Sequence, residues 1–492
     1  MSESDAGEGA SVLDQLDLDG EVNEVTVRFE GLRRVDSKVL YSECHPIFEA
    51  RTVGELLAKV VQAQNTFNSF GLFRRQSVEL STPQGGARGD VEVTFHVEEQ
   101  KYDIAVGVQM DHRRKPTMEL TATIPSVFST LQSFSLKSSY TNSKSHEILG
   151  RLSFPRLFGR YLMNTKWFGE LSGGVTFSDY SRFSSYREKL LPLDFRVRSQ
   201  DGRQAVGLHL GLRDILPDKD AGRSASYAVL CSRLRSLKSS VKYEYTDDRT
   251  QDVAAGGMPV DGHTRHMALE YAGLLGDVRY VRAEAGLSFY RSLLPDRDRL
   301  VLNASVSGGA LYPIGTDASP IQDRFYLGEG AGAPTYLKGF AYRGVGPADP
   351  CICPKPGSSL VAPAAAAAAG ESKGGKAIST KLRREYDYVG GNVFYGASAL
   401  LSYLPPFNVT QNIGLRVIGF TQAGNVVEDL SRASLSRLFQ ETRVSSGVGF
   451  TVPLPVIPGV LEVTYAWPWR RYTSDALEKF QIGVRLRLPG AR

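Results

Sequence analysis

Cys351 and Cys353 stand two positions apart in "PCICP", a spacing from which two thiolates can share one metal ion. A structural zinc site needs four donors, and neither a second cysteine pair nor a histidine cluster lies nearby. Of the seven histidines, His45 and His96 fall in an N-terminal α/β segment and His146 in a turn. His112, His209, His263 and His266 fall in strands or turns of the region that follows. No H-E-x-x-H, G-x-S-x-G or phosphate-loop pattern frames any of them. The four cysteines are too few and too irregularly spaced for a disulfide framework. These side chains point to no enzyme, no metal and no cofactor. The chemistry that recurs along the chain is that of the main chain, which must hydrogen-bond in strands.

The last stretch shows the pattern. In "FQIGVRLRL", Phe480, Ile482, Val484, Leu486 and Leu488 form one apolar row, and Gln481, Gly483, Arg485 and Arg487 form the other. Such a strand has one dry and one wet face. The same two-residue alternation fills about 390 residues from Lys101 onward, for example at Val206, Leu208 and Leu210 or at Leu461, Val463, Tyr465 and Trp467. About sixteen strands are counted, too many for one sandwich core. No run of eighteen apolar residues exists, which excludes an ordinary transmembrane helix and leaves a β-barrel open. Aromatic residues gather near strand ends, as in interfacial girdles. The reading is a mainly β fold: a transmembrane antiparallel barrel over residues 100–492, its dry face on lipid.

Ahead of it, residues 1–21 read as a disordered acidic tail. They lack the basic and apolar regions of a secretory signal and the arginines of a transit peptide. That predicts insertion from a cytosol. Residues 22–99 read β-α-α-β-β. A helical stretch spans about 37–48. Thr52-Val-Gly-Glu55 fits a capping box for a second helix whose face is Val53, Leu56, Leu57, Val60 and Phe67. One segment, 347–386, is rich in Pro, Ala, Gly and Lys and reads as a flexible insert. The net charge of +5 is small and scattered, so nucleic acid is not a partner.

The succession "DRFYLGEGAGAPTYLKGFAYRGVGP", "GGNVFYGASALLSYLPPF", "GLRVIGFTQAGNV" and "GVGFTVPLPVIPGVLEVTYAWPW" resembles the superfamily of outer-membrane protein insertases built from POTRA domains and a barrel. The α/β segment resembles a single POTRA domain, "GLFRRQSVEL" being similar to its passage into the second strand. One POTRA-like domain with "KGFAYRGVGP" before "LLSYLPPF" resembles in particular the central barrel of the mitochondrial sorting and assembly machinery (SAM). The resemblance is dense over the last 170 residues and rests on pattern alone from Lys101 to about Asp317.

The resemblance implies insertion of β-barrel precursors into the mitochondrial outer membrane. The partners it implies are the lipid bilayer, unfolded precursor proteins and accessory subunits, with no small-molecule substrate. The POTRA-like domain would face the intermembrane space. In the superfamily a loop carrying Arg-Gly-Phe folds into the lumen, and the matching residues are Lys338, Gly339 and Phe340. A late strand there carries an acidic partner, where this chain offers Gln422 with Gly424 beside it. An ammonium–amide contact between Lys338 and Gln422 is therefore expected. The resemblance also implies a lateral gate between strands 101–110 and 480–488, with Tyr102, Ile104, Val106, Gly107 and Val108 on one side. Gln481, Gly483, Leu486 and Leu488 on the other side also match the family's last-strand signal. The alternative readings are a plastid envelope barrel of the same superfamily, a passive porin-type channel and a soluble β-protein.

Overall fold

The structure, a computed structural model, describes residues 19–83, 89–110, 116–129, 131–141, 145–157, 167–217, 225–232, 235–252, 259–294, 299–315, 318–327, 337–351, 386–428, 440–454 and 459–486. Residues 1–18 of the acidic tail, Cys353, His112, Leu488 and most of the 347–386 insert lie outside them. The chain divides into two compact units, one of residues 1–105, 121–136 and 150–169, the other of 106–120, 137–149 and 170–492.

The first unit holds a three-stranded sheet of β1 (Val25–Glu30), β2 (Phe73–Ser81) and β3 (Val91–Glu99), in the order β1-β3-β2. Helix α1 (Ser37–Tyr41) is short, because Pro46 cannot continue it and starts a separate 3-10 turn at His45–Glu49. The expected single stretch over 37–48 is thus two pieces. Helix α2 (Val53–Phe70) begins where Thr52 accepts the Glu55 N–H at 3.2 Å and stops at Gly71 with φ +63°. Glu55 reaches back to the N–H of Arg51 at 3.1 Å, one residue before the capping-box position. Leu56, Val60 and Phe67 pack on Val27, Val93 and Phe95, while Leu57 is only half-buried. The Phe29, Phe67 and Phe95 rings lie 5.2–5.9 Å apart. Removing Phe67 would cost about 3–5 kcal/mol.

Two further contacts complete this unit. Arg156 grips the Glu43 carboxylate with two hydrogen bonds, 2.6 and 2.7 Å, and lies 5.2 Å over the Phe70 ring. Beside it Cys44 is fully buried; burial, aided by Glu43, pushes its thiol up to about 12, so it stays protonated and unreactive.

Sixteen main strands, from Asp103–Met110 to Phe480–Leu486, form one closed barrel in which the first strand hydrogen-bonds to the last. This is the expected architecture and strand number. Along Gln204–Pro217, Val206, Leu208 and Leu210 are exposed; along Gly459–Arg470, so are Tyr465, Trp467 and Trp469. Their alternates face inward: Ala466 and Thr464 are buried. An exposed apolar row backed by a polar inner row is what lipid outside and water or protein inside require. His146 departs from the expected turn: it is the second residue of strand Ser145–Phe154 and stacks on Phe177 at 4.4 Å.

Glu99, at the end of β3, accepts the backbone N–H groups of Arg33, Arg34 and Val35 at 2.9–3.0 Å. Partial burial works to raise its pKa, but these donors and the Arg34 charge outweigh it and hold the carboxyl below its ordinary range. Its contribution to stability is complete at pH 7 and is lost as pH falls from about 4.3 through the lower folded value. Glu99→Gln should speed amide exchange at residues 33–35 about tenfold at pH 7, roughly 1.4 kcal/mol for a charge-assisted bond. The difference from wild type should shrink at pH 3. Equal exchange at pH 7 would refute the role given to Glu99.

Candidate functional site

The segment joining strands Leu300–Pro313 and Val393–Tyr403 turns back onto the inner wall of the barrel and carries the charged residues that the apolar rows lack. Its first limb is fixed by Asp323, which is buried and accepts from Arg213 Nη1 (2.9 Å), Lys238 Nζ (2.9 Å) and Tyr280 Oη (3.0 Å). Lys238 also pairs with Glu270 at 2.7 Å. A buried carboxylate with two cations and a phenol has its lone pairs satisfied, which is the condition for keeping it ionised away from water.

Farther along, Gly339 and Phe340 form an antiparallel rung with Glu478 and Leu477. Gln481, on the last strand, spans the same two residues: its Nε2 donates to the Phe340 carbonyl at 2.9 Å, and its Oε1 accepts from the Gly339 N–H at 3.4 Å. A primary amide offers one donor and one acceptor side by side, so it can mimic a neighbouring peptide. Gly339 has φ +91°, and a Cβ there would come 3.0 Å from Ala466 Cβ and 3.3 Å from Pro468 Cγ. Both conformation and space demand glycine. Phe340, 1% exposed, packs with Phe325, Phe394, Tyr280, Leu337 and Val345.

Lys338 contributes through two groups. Its backbone N–H donates to Gln422 Oε1 at 2.8 Å, while Gln422 Nε2 donates to Ser398 Oγ at 3.2 Å. Its ammonium pairs with Glu462 and lies 4.8 Å from the Phe420 ring. The expected ammonium–amide contact is therefore not formed: a carboxylate two strands away outcompetes a neutral amide for the charge. Gly424 does not share in this. It faces the Tyr395 carbonyl, 2.9 Å from where a Cβ would stand, and the Leu327 side chain.

The return limb is pinned in turn. Asp387 accepts from Ser185 Oγ (2.6 Å) and the Ser226 N–H (2.8 Å), and Ala348–Pro350 pairs with Tyr386–Tyr388. Near the last strands Arg443 grips Asp475 at 3.0 and 3.2 Å. No nucleophile–base pair arises from these contacts; they position a loop.

At the closing strands, Tyr102, just before the first strand, and Ile104 and Val106 within it are exposed. Asp103 and Ala105 on the other row are exposed as well, so residues 103–106 of this strand are uncovered on both faces. Gly107 and Gly483 are half-buried, Gln481 is buried, Val108 and Leu486 lie within their strands, and Leu488 is outside the described residues. The structure thus brings Lys338, Gly339, Phe340, Gln422 and Gln481 together. Sequence reading missed Glu462, Asp323 and Arg443, and gave Gln481 to the last-strand signal and the gate without its bonds to the loop. The available signal was a carboxylate or guanidinium on an inner row otherwise built of Gly, Ser and Thr.

A family model described as the Omp85 superfamily domain matches residues 100–487. The human Sorting and assembly machinery component 50 homolog is 26% identical over 485 residues, covering 94% of this chain and 89% of that protein. The Xenopus tropicalis homolog is likewise 26% identical over 483 residues, with the same coverage. Among solved structures, BamA from Haemophilus ducreyi lacking POTRA domains 1–3 superposes with a TM-score of 0.70 at 17% identity, over 94% of this chain and 85% of that one. At that identity the likeness speaks for the fold.

Lys338 is buried and Glu462 half-buried, so removing the carboxylate strands the ammonium. Lys338→Met and Glu462→Gln should each weaken loop attachment by about 1–3 kcal/mol, and the double change Lys338→Met with Glu462→Met should be milder than either. Gly339→Val should cost a similar amount through its positive φ. Hydrogen exchange at residues 338–341 reads all four variants. Additive losses in the double variant would show that the pair is not the tie.

Proposed function

The chain belongs to the Omp85 superfamily, and from that premise we propose that it folds β-barrel precursors and inserts them into the mitochondrial outer membrane. Its likeness along almost the whole chain to proteins named Sorting and assembly machinery component 50 homolog supports this reading. So does the form of the barrel's closure. As described, the first strand has 8 residues and the last 7, whereas Tyr186–Ser199, Gln204–Pro217, Pro259–Ala272 and Leu300–Pro313 each have 14. That short closing pair is the observation that carries the proposal. Parting it exposes fewer backbone N–H and C=O groups to lipid than parting any long pair would, and each bare group costs several kcal/mol.

The seam between the two strands is then the lateral gate. A precursor strand pairs with a freed edge by β-augmentation, so main-chain bonds give affinity with little demand on sequence. We assign the strand of Tyr102, Ile104, Val106, Gly107 and Val108 to one side and that of Gln481, Gly483 and Leu486 to the other, with Leu488 added from the sequence pattern. Residues 22–99 act as a single POTRA-like domain in the intermembrane space that hands precursors to the barrel. Accessory subunits and the bilayer complete the partners.

Two experiments test this. A Cβ added at Gly107 or at Gly483 meets nothing within 4 Å, so cysteines fit at both. Gly107→Cys with Gly483→Cys, screened with neighbouring registers for a verified disulfide, should abolish precursor insertion and leave the barrel itself resident in the membrane. Normal insertion with the bond closed would sink the lateral gate. Topology is testable through the exposed Cys231, which follows seven crossings and so lies on the face opposite residue 102. In a Cys351→Ser, Cys353→Ser background, a membrane-impermeant maleimide on intact mitochondria should label Cys231 and spare the buried Cys44. Protection of Cys231 would reverse the orientation.

A further inference from the structure

We infer that Arg343 is a positioning residue: it braces the lumen-lining loop against the wall away from the seam, so that Gly339 and Phe340 stay seated on the last strand. The inference rests on the insertion reading above. Arg343 is 3% exposed and is held at φ +54°, a left-handed conformation that a bulky side chain adopts only where its surroundings impose it. Those surroundings are aromatic. The guanidinium carbon lies 3.8 Å from the Tyr180 ring centroid and 3.9 Å from that of Tyr326. Nη1 donates to the Tyr186 hydroxyl at 3.1 Å, and Tyr186 is fully buried.

A planar guanidinium can stack on two rings and still donate from its edge; a lysine ammonium cannot do both. Tyr180 and Tyr186 flank the turn joining strands Trp167–Asp179 and Tyr186–Ser199, the fifth and sixth of the barrel. Lys338, Gly339 and Phe340, three to five residues earlier, bond to the thirteenth, fifteenth and sixteenth strands or the segment leading into the last. The loop is therefore a strut between two walls. On the seam side the loop is held by the Gln481 and Gln422 hydrogen bonds, the Lys338–Glu462 ion pair, the rung at Leu477–Glu478 and backbone bonds of Ala341 and Gly344 with Ala476; the opposite wall is reached through the Arg343 side chain. When the last strand moves, the far end keeps the loop from following it.

Hydrogen exchange of the loop and an import-and-insertion assay with a radiolabelled barrel precursor, both on the full chain in membranes, test this together. Arg343→Leu and Tyr180→Leu should each raise exchange at residues 339–344 at least tenfold and slow insertion. Tyr180→Phe, which keeps the ring, should stay within twofold of wild type in both, and the double Leu variant should be no worse than either single. Exchange across strand Pro259–Ala272 checks that the barrel is intact. Unchanged loop exchange in Arg343→Leu, or equal damage from Tyr180→Phe and Tyr180→Leu, would overturn the brace. A loosened loop with normal insertion would overturn its positioning role. A wild-type chain that inserts no precursor would instead defeat the proposed function, leaving the loop-exchange results to judge the brace.

Discussion

A peptide group facing hydrocarbon has no water to bond with, so a strand in a bilayer must be paired along both edges. Closure of the barrel follows from that constraint. Of sixteen strands, the pair that closes the ring is short as described, and residues 103–106 of its first member are exposed on both faces. The two strands that meet where the chain's barrel ends join are, as described, the shortest of the sixteen. In the proposed function an incoming strand offers the same groups and takes their place, so that opening is an exchange of hydrogen bonds rather than a loss of them.

The loop inside the barrel follows from the same constraint. A short seam needs support from within, and the last strand receives it through Gln481, whose amide copies a peptide unit against Gly339 and Phe340. The Lys338–Glu462 pair and the rung at Leu477–Glu478 add to it. Each tie is modest, and charge is placed only where a partner waits, as at Asp323 and Arg443. Many small ties can be released in sequence, whereas one large apolar interface would have to be broken at once.

Much of the architecture was legible in the sequence because a strand's period of two is rigid. Rows such as Val206, Leu208 and Leu210 announce a lipid-facing surface without reference to anything distant. Contacts that depend on which strands become neighbours were not legible. Nothing local joins Lys338 to Glu462, 124 residues away, and the expected choice of Gln422 for the ammonium failed because the nearer charge lay on another strand. Gln422 does meet the loop, but its side-chain Oε1 accepts from the Lys338 backbone N–H and not from the ammonium. Arg343 sits three residues past a recognisable motif, yet only the folded chain brings Tyr180 and Tyr326 to its two sides. Smaller misses were steric: Pro46 divides a helix that the apolar pattern alone would continue.

The most direct test of the central claim is a disulfide scan between a precursor stalled during insertion and this barrel. Single cysteines placed along the precursor's terminal strand are paired with single cysteines at each position of the first strand, residues 103–110. The account predicts bonds that advance residue by residue, in one register, along the first strand. Bonds only to lumen-facing loop residues, or none to the first strand from a precursor known to be engaged, would contradict it.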